Sequence, residues 1–368
     1  MPGGVGWTLL IALTPASQDL VDAVQEIDVD TSTEMAGAFR IRFGLRQTEV
    51  GDWSILQVDP FRPLVPISVR VTVDGPVPVA LINGYVTHHQ VLYADEPGRS
   101  VLEVTGMDAT ILMNLQERVM PWPSMPDSAI AAAIFGQYGV VPQVQPTSPV
   151  LTEPEGTTTQ RSSDIQFLRR LAARNGFECF VLPEPVSGID TGYFRPPSLV
   201  GVPEAVLSVS FGDLTNVTNF SISYDMVQPT GALTASLDVA TKAPQIGVAP
   251  VSTATPLGLE PALLRVLPPP MMRSSRTGVV RTGDLQGVAQ AIVDRSSFAV
   301  VASGDVAPDS KPLRPGALVN LRGAGREYNG TYYVTRVHHH ISQEGYLQSF
   351  EARRNAVSMT GTEVYALP

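Results

Sequence analysis

In Ala38-Phe-Arg-Ile-Arg-Phe43, apolar and charged side chains alternate from Phe39 onward. On a strand this puts Phe39, Ile41 and Phe43 on one face and Arg40 and Arg42 on the other. Ile67-Ser-Val-Arg-Val-Thr-Val73 repeats the pattern with Ile67, Val69, Val71 and Val73 on one side. Such strands pack one face on a core and leave the other for water or a partner, as in an antiparallel sheet or barrel. The stretches 7–13, 26–33, 81–90 and 101–105 read the same way, so residues 1–105 form a strand-rich block.

The composition agrees with a folded, turn-rich chain. In 368 residues, 43% are hydrophobic and 16% charged, which excludes a disordered class and leaves room for two or three domains. The 31 glycines and 32 prolines disfavour long helices. A formal charge of −10 argues against specific nucleic-acid binding. The single cysteine, Cys179, excludes an intrachain disulfide framework and a Cys-based zinc site, and its setting in 176–181 reads as a core strand. No basic leader is present, and the apolar run 9–13 is too short to span a membrane. These features predict a soluble chain made to stay in the cytoplasm unless another machine exports it, with no membrane insertion.

After Gly106 the pattern changes. A helix is predicted over 108–117 with Asp108 as its cap, and another over 127–138 ended by Gly139. A loop rich in Pro, Thr and Glu follows at 142–156. Ser163-Asp-Ile-Gln166 reads as a capping box opening a helix through Phe167, Leu168 and Leu171, closed by Asn175-Gly176 and followed by a strand at 177–182. Residues 106–200 are thus a small α/β insert. Strands resume at 205–211 and 219–224. The low-charge stretch 227–275 reads as an extended loop with one further strand at 231–240, and 284–293 as a helix. Strands at 298–302, 317–321, 331–341 and 346–353 complete a second strand-rich block, 201–355, and 356–368 is a C-terminal tail.

Catalytic constellations are missing. All five histidines fall in His88-His89 and His338-His-His340. On a strand His338 and His340 share a face, but two histidines need a third ligand, and no H-E-x-x-H partner accompanies them. The sequence therefore assigns them to a packed or interface strand, with no metal and no cofactor. The acid pairs Asp28/Asp30 and Glu153/Glu155 have no glycosidase context, and there is no G-x-S-x-G elbow or phosphate loop. Arg169, Arg170 and Arg174 line one helix face, read equally as a solvated surface or as a dock for an acidic neighbour.

Four stretches together carry a resemblance. They are Gly84-Tyr-Val86 with Leu102-Glu-Val-Thr-Gly-Met-Asp-Ala109; Ser163 to Gly176; Leu207-Ser-Val-Ser-Phe-Gly212 with Asn219-Phe220; and Leu313-Arg-Pro-Gly316, Tyr328 to Val334, Val337-His338 and Tyr346 to Phe350. In order and spacing they resemble the baseplate hub proteins of contractile phage tails and phage-like injection systems, including the late control protein D group and the hub part of type VI spike proteins. The matching positions are Gly84, Asp108, Phe167, Leu168, Leu171, Gly176, Phe211, Gly212, Pro315, Gly316, Gly330, Tyr332 and His338. All are structural in kind.

The resemblance implies a mainly β fold with an α+β insert: two tube-like antiparallel β-barrel domains per chain, 1–105 and 201–355, joined into a trimeric ring. Their cores would hold Phe39, Ile41, Phe43, Val69 and Val71 in the first domain, and Val319, Leu321, Tyr333 and Val334 in the second. It implies a non-enzymatic hub that adapts a threefold spike to a sixfold inner tail tube. The partners would be two further copies of the chain, a separate spike or tip protein, the inner tube protein, baseplate wedge proteins and a lumen cargo. The place of work would be the baseplate of a phage-like particle, released from the cell in some systems. The competing readings are a cell-wall hydrolase built on His338–His340 or the acid pairs, and a carbohydrate-binding β module using Trp7, Trp53, Trp122 and the tyrosines as platforms.

Overall fold

The computed structural model describes residues 5–56, 60–73, 75–96, 98–147, 157–237, 242–266, 268–276, 282–308, 310–363 and 365. The first block holds β1 (Gly6–Ile11), β2 (Thr14–Pro15), α1 (Gln18–Ala23), β3 (Val24–Ser32), β4 (Ala38–Gly44), β5 (Pro66–Thr72), β6 (Val79–Leu92) and β7 (Val101–Asp108). The insert holds β8 (Glu117–Trp122), α2 (Asp127–Gln137), β9 (Val141–Val144), β10 (Thr158–Ser163), α3 (Asp164–Asn175), β11 (Glu178–Pro183) and β12 (Asp190–Arg195). Next come β13 (Ala205–Ser208), β14 (Val217–Tyr224), β15 (Gly231–Leu237), β16 (Pro244–Ala249), β17 (Glu260–Pro261) and β18 (Met271–Arg276). The chain ends with α4 (Thr282–Ser296), β19 (Val300–Val306), β20 (Leu318–Arg322), β21 (Gly330–Ser342), β22 (Gly345–Arg354) and β23 (Ala356–Val357).

The protein is mainly β, and its largest element is one sheet of thirteen strands in the order β14-β19-β22-β21-β3-β4-β7-β6-β5-β1-β2, with β20 and β13 branching from β21. Here the expectation of two separate barrels is corrected. Among the described residues neither block closes on itself; the blocks join edge to edge. β21 is long enough to serve both: its first half pairs with β20 (Leu318↔Tyr333) and its second half with β3 (Arg336↔Ser32 to Ser342↔Glu26).

Period-two alternation sets the layers. Ile27, Val29, Phe39, Ile41, Phe43, Val69 and Val71 are buried in one cluster, joined across the seam by Ile341 and Tyr346. Gly84 and Gly106 let the Phe39 ring lie flat against β6 and β7, since a Cβ at Gly106 would stand 2.3 Å from the ring. A second cluster fills the insert, with Phe167, Leu168 and Leu171 against Ile134, Phe135 and Phe194. A third lies under the other half-sheet, with Val319, Leu321, Tyr332 and Val334 against Val337 and Phe350.

Three local readings differ from the structure. The helix expected over 108–117 is a short 3-10 helix, Ala109–Asn114, because β8 begins at Glu117. The capping box does not form. Ser163 sits at the cap of α3, but its hydroxyl donates to Asn114 Oδ1 at 2.7 Å and Gln166 is exposed. Of residues 227–275, read as an extended loop with one strand at 231–240, that strand appears as β15, but β16 is present too, and with β18 they make a three-stranded sheet under α4. Its core is Ala232, Ala249, Leu263, Ala289 and Val293. A Cβ on Gly247 would meet the α4 backbone at 2.5 Å, so the helix needs the small residues that made this stretch look like a loop. Part of the 142–156 loop, Glu153 and Glu155, the end of the 231–240 strand and most of the tail beyond Glu363 lie outside the described residues.

Candidate functional site

The side of the large sheet opposite the apolar cores is polar across the seam. β3 offers Glu26, Asp28 and Asp30; β4 offers Arg40 and Arg42; β21 offers Arg336, His338 and His340; β22 offers Ser349, Glu351 and Arg353. Each lies two residues from the next on its own strand, so the face follows directly from the alternation.

Cross-strand pairs cover this face. Arg336 clamps Asp30 through Nε at 2.8 Å and through its second nitrogen. Arg40 donates to Asp28 Oδ2 from Nε at 3.0 Å and from Nη2 at 2.7 Å, and lies 3.5 Å from Glu26 and 3.9 Å from Glu103. Arg353 donates to Glu34 at 2.7 Å and to Glu351 at 3.1 Å. Further out, Ser349 donates to Asp305 at 2.6 Å, and Ser221 and Ser303 hydrogen-bond at 2.8 Å. Exposed pairs of this kind stabilise little one at a time. As a set they order the face and give it both signs of charge.

At the seam, Asp28 sits opposite His340 in the β3–β21 register. Its Oδ1 is 2.7 Å from His340 Nδ1 and 3.4 Å from His338 Nε2. Although burial works against its charge, hydrogen bonds from His338, His340 and Arg40 hold the Asp28 carboxyl well below the usual range. His339 points the other way: it stacks on Tyr346, hydrogen-bonds its hydroxyl at 2.8 Å, and is pushed down to about 3 by burial, so it is neutral. The sequence placed His338 and His340 on one face. It carried no sign of their third neighbour, which lies some three hundred positions earlier and arrives only through strand pairing.

The other motif positions are structural contacts. The buried Asp108 accepts from Thr110 N at 2.9 Å and from Gly37 N, and burial raises it to about 6. Gly176 ends α3 beside Ala291 of α4. Phe211 is half exposed, with the Arg322 guanidinium 4.5 Å from its ring centre, and Gly212 opens a 3-10 turn. Pro315 is buried and Gly316 N donates to Val334 O at 2.8 Å. Gly330 begins β21, and the Tyr332 hydroxyl donates to Tyr328 O at 2.8 Å. Tyr333 faces away from the third cluster; it packs with Leu257 and Leu318, and its hydroxyl donates to Glu178 of the insert at 2.5 Å. A cavity of about 870 Å³ opens beside this contact, lined in part by Glu34, Arg169, Glu178, Arg295 and Arg353. The Cys179 thiol is buried and pushed up to about 12, which removes it as a nucleophile.

This fold is that of phage tail proteins over nearly the whole chain. It is similar to the tail protein from Neisseria meningitidis MC58 (TM-score 0.65, 13% identity, covering 95% of this chain and 97% of that one). It is also similar to the 43 kDa tail protein of prophage MuSo2 from Shewanella oneidensis (TM-score 0.67, 14% identity, 96% and 100% covered). A third similar structure is the E. coli c3393 protein (TM-score 0.58, 13% identity, 94% and 76% covered). That protein is described as a component of the type VI secretion system with structural similarity to T4 bacteriophage tail proteins gp27 and gp5. No curated protein matches the sequence. The family model for the Alg8 N-terminal domain matches residues 18–343, and the chain belongs to that family.

Proposed function

We propose that this chain is a structural hub subunit of a phage-tail-like contractile injection machine. Three copies would form a ring that joins a threefold spike to a sixfold inner tube. The observation that carries this reading is the tail-protein fold over almost the full length, combined with an open sheet that has an apolar and a polar side. An open sheet of this size has free edges, and pairing between neighbouring chains would satisfy them and close a tube. The two halves of the sheet, within 1–105 and 201–355, would each supply one tube-like unit per chain, six in the ring. The ordered polar face would line the lumen, where mixed charge suits passage of a cargo. The insert 106–200 would sit at the periphery and meet the wedge proteins. The role is mechanical rather than catalytic, which the inert thiol and the paired, motif-free acids support.

The test is absolute mass by light scattering, with the chain alone and co-expressed with the neighbouring spike protein. A species near three times 39.4 kDa, or a three-to-three complex, is expected. A monomer in both conditions, together with absence of the chain from purified particles, would overturn the reading.

A further inference from the structure

We infer that Asp28, His338 and His340 form a binding site for a divalent transition-metal ion of the zinc class, placed on the seam between the two half-sheets.

The three side chains offer one carboxylate oxygen and two imidazole nitrogens, all within 4.8 Å of one another. Imidazole with one carboxylate suits zinc and its neighbours rather than calcium or magnesium, which prefer all-oxygen sets. Zinc bonds of about 2.0–2.1 Å in tetrahedral array put neighbouring ligand atoms about 3.3 Å apart. Asp28 Oδ1 and His338 Nε2 already stand at 3.4 Å. Asp28 Oδ1 and His340 Nδ1, hydrogen-bonded at 2.7 Å, would open by about 0.6 Å to admit the ion.

The surroundings hold the donors in place. Arg40 grips Asp28 by Oδ2 with two hydrogen bonds, so Oδ1 is the oxygen turned toward the histidines. On the far side of the His338 ring, Nδ1 lies 3.9 Å from Asp30 Oδ2, a carboxylate that Arg336 already holds and that would have to move closer to hydrogen-bond the ring. The Arg40 charge is shared with Glu26 and Glu103, and the Arg336 charge with Asp30, so the arginines do not leave the site positive. β3 and β21 are interior strands, each hydrogen-bonded on both sides, which fixes the donor positions. The histidine side chains are 39% and 34% exposed, which leaves the solvent side open for entry and for a water as fourth ligand.

An ion here would tie residues some three hundred positions apart and stabilise the seam by mass action. The test is isothermal titration of the chelator-stripped full chain with zinc chloride, with a parallel melting curve. One ion per chain and a rise in Tm are expected. His338→Ala and His340→Ala should each weaken binding at least about tenfold, and Asp28→Asn should do the same with the shape kept. A His88→Ala/His89→Ala variant should bind like the parent. Cobalt(II) substitution should give visible d–d bands that vanish in the His338→Ala/His340→Ala variant. No saturable binding up to about 100 μM zinc, roughly the affinity below which such a site has no meaning, would overturn the inference. So would binding that survives unchanged in the double His338/His340 variant.

Discussion

The two halves of the large sheet bury different chemistry. Under β3, β4 and β5 the core is mainly aliphatic and aromatic: Ile27, Val29, Ile41, Phe43, Val69 and Val71 pack together, and the buried His339 and the Tyr346 hydroxyl beside them satisfy each other. Under β21 and β22 the sheet also buries Arg354, Gln348 and Asn355, each spending its donors and acceptors on loop backbone. Arg354 donates to Leu257 O at 2.8 Å, Asn329 O at 2.9 Å and Ser358 O at 2.7 Å, and its guanidinium lies 5.4 Å from the Tyr332 ring centre. Gln348 accepts from Leu313 N at 2.7 Å and donates to Ser310 O at 3.1 Å. Asn355 accepts from Leu257 N at 2.8 Å and donates to Thr255 O at 2.9 Å. The lesson concerns tolerance. Apolar packing is non-directional and accepts swaps of similar volume. A directional network fails when one partner is removed, because the groups left behind stay buried and unpaired.

This contrast sets the order of expected effects. Arg354→Met keeps bulk but leaves the buried Leu257 carbonyl and the partly buried Asn329 and Ser358 carbonyls without their donor, so it should cost about 3 kcal/mol or more in chemical denaturation, with protease cuts appearing first near 255–260. Ile41→Ala should cost about 3 kcal/mol, while Ile41→Val should cost only about 1. If the conservative changes in the two halves cost the same, the contrast is broken. Gly106→Ala drives a methyl into both the Phe39 ring and the Tyr85 carbonyl and should cost about 3 kcal/mol, of which Phe39→Leu relieves only the ring's share.

Glu178 sharpens the comparison, because it joins the second half-sheet to the insert through Tyr333. Burial raises its carboxyl from 4.5 to about 7. A raised folded value means that its contribution is fully present below pH 4.5 and is lost as pH rises through 7. Glu178→Gln should flatten this loss and leave the protein more stable at pH 8 than the parent by about 2 kcal/mol or more, measured against pH 5. Unchanged pH dependence in the variant would show that Glu178 is not the group responsible. Smallest of all, Arg336→Ala removes an exposed pair and should cost about 0.5 kcal/mol, disappearing in high salt.

These same differences explain what could be read from the sequence. Strands such as β4 and β5 were legible because bulky apolar residues recur at every second position. In the sheet of β15, β16 and β18 only β15 was legible, because the sheet turns Ala232, Thr234, Gly247 and Ala249 toward a close-packed helix, and such small residues carry little periodic signal. The Ser163 cap was misread because a capping box is a local pattern, whereas Asn114 competes for that hydroxyl from a distant turn. The seam, and with it Asp28 beside His338 and His340, depends on a pairing more than three hundred residues apart. Period-two patterning says which face a residue takes, but not which strand will lie next to it.

That seam has a mechanical meaning. From Arg336↔Ser32 to Ser342↔Glu26, seven residue pairs bind β21 to β3, with hydrogen bonds perpendicular to the strands. A pull along the strand axis loads these bonds together instead of peeling them one at a time. Torque applied at β14 would reach β1 through strands hydrogen-bonded one to the next.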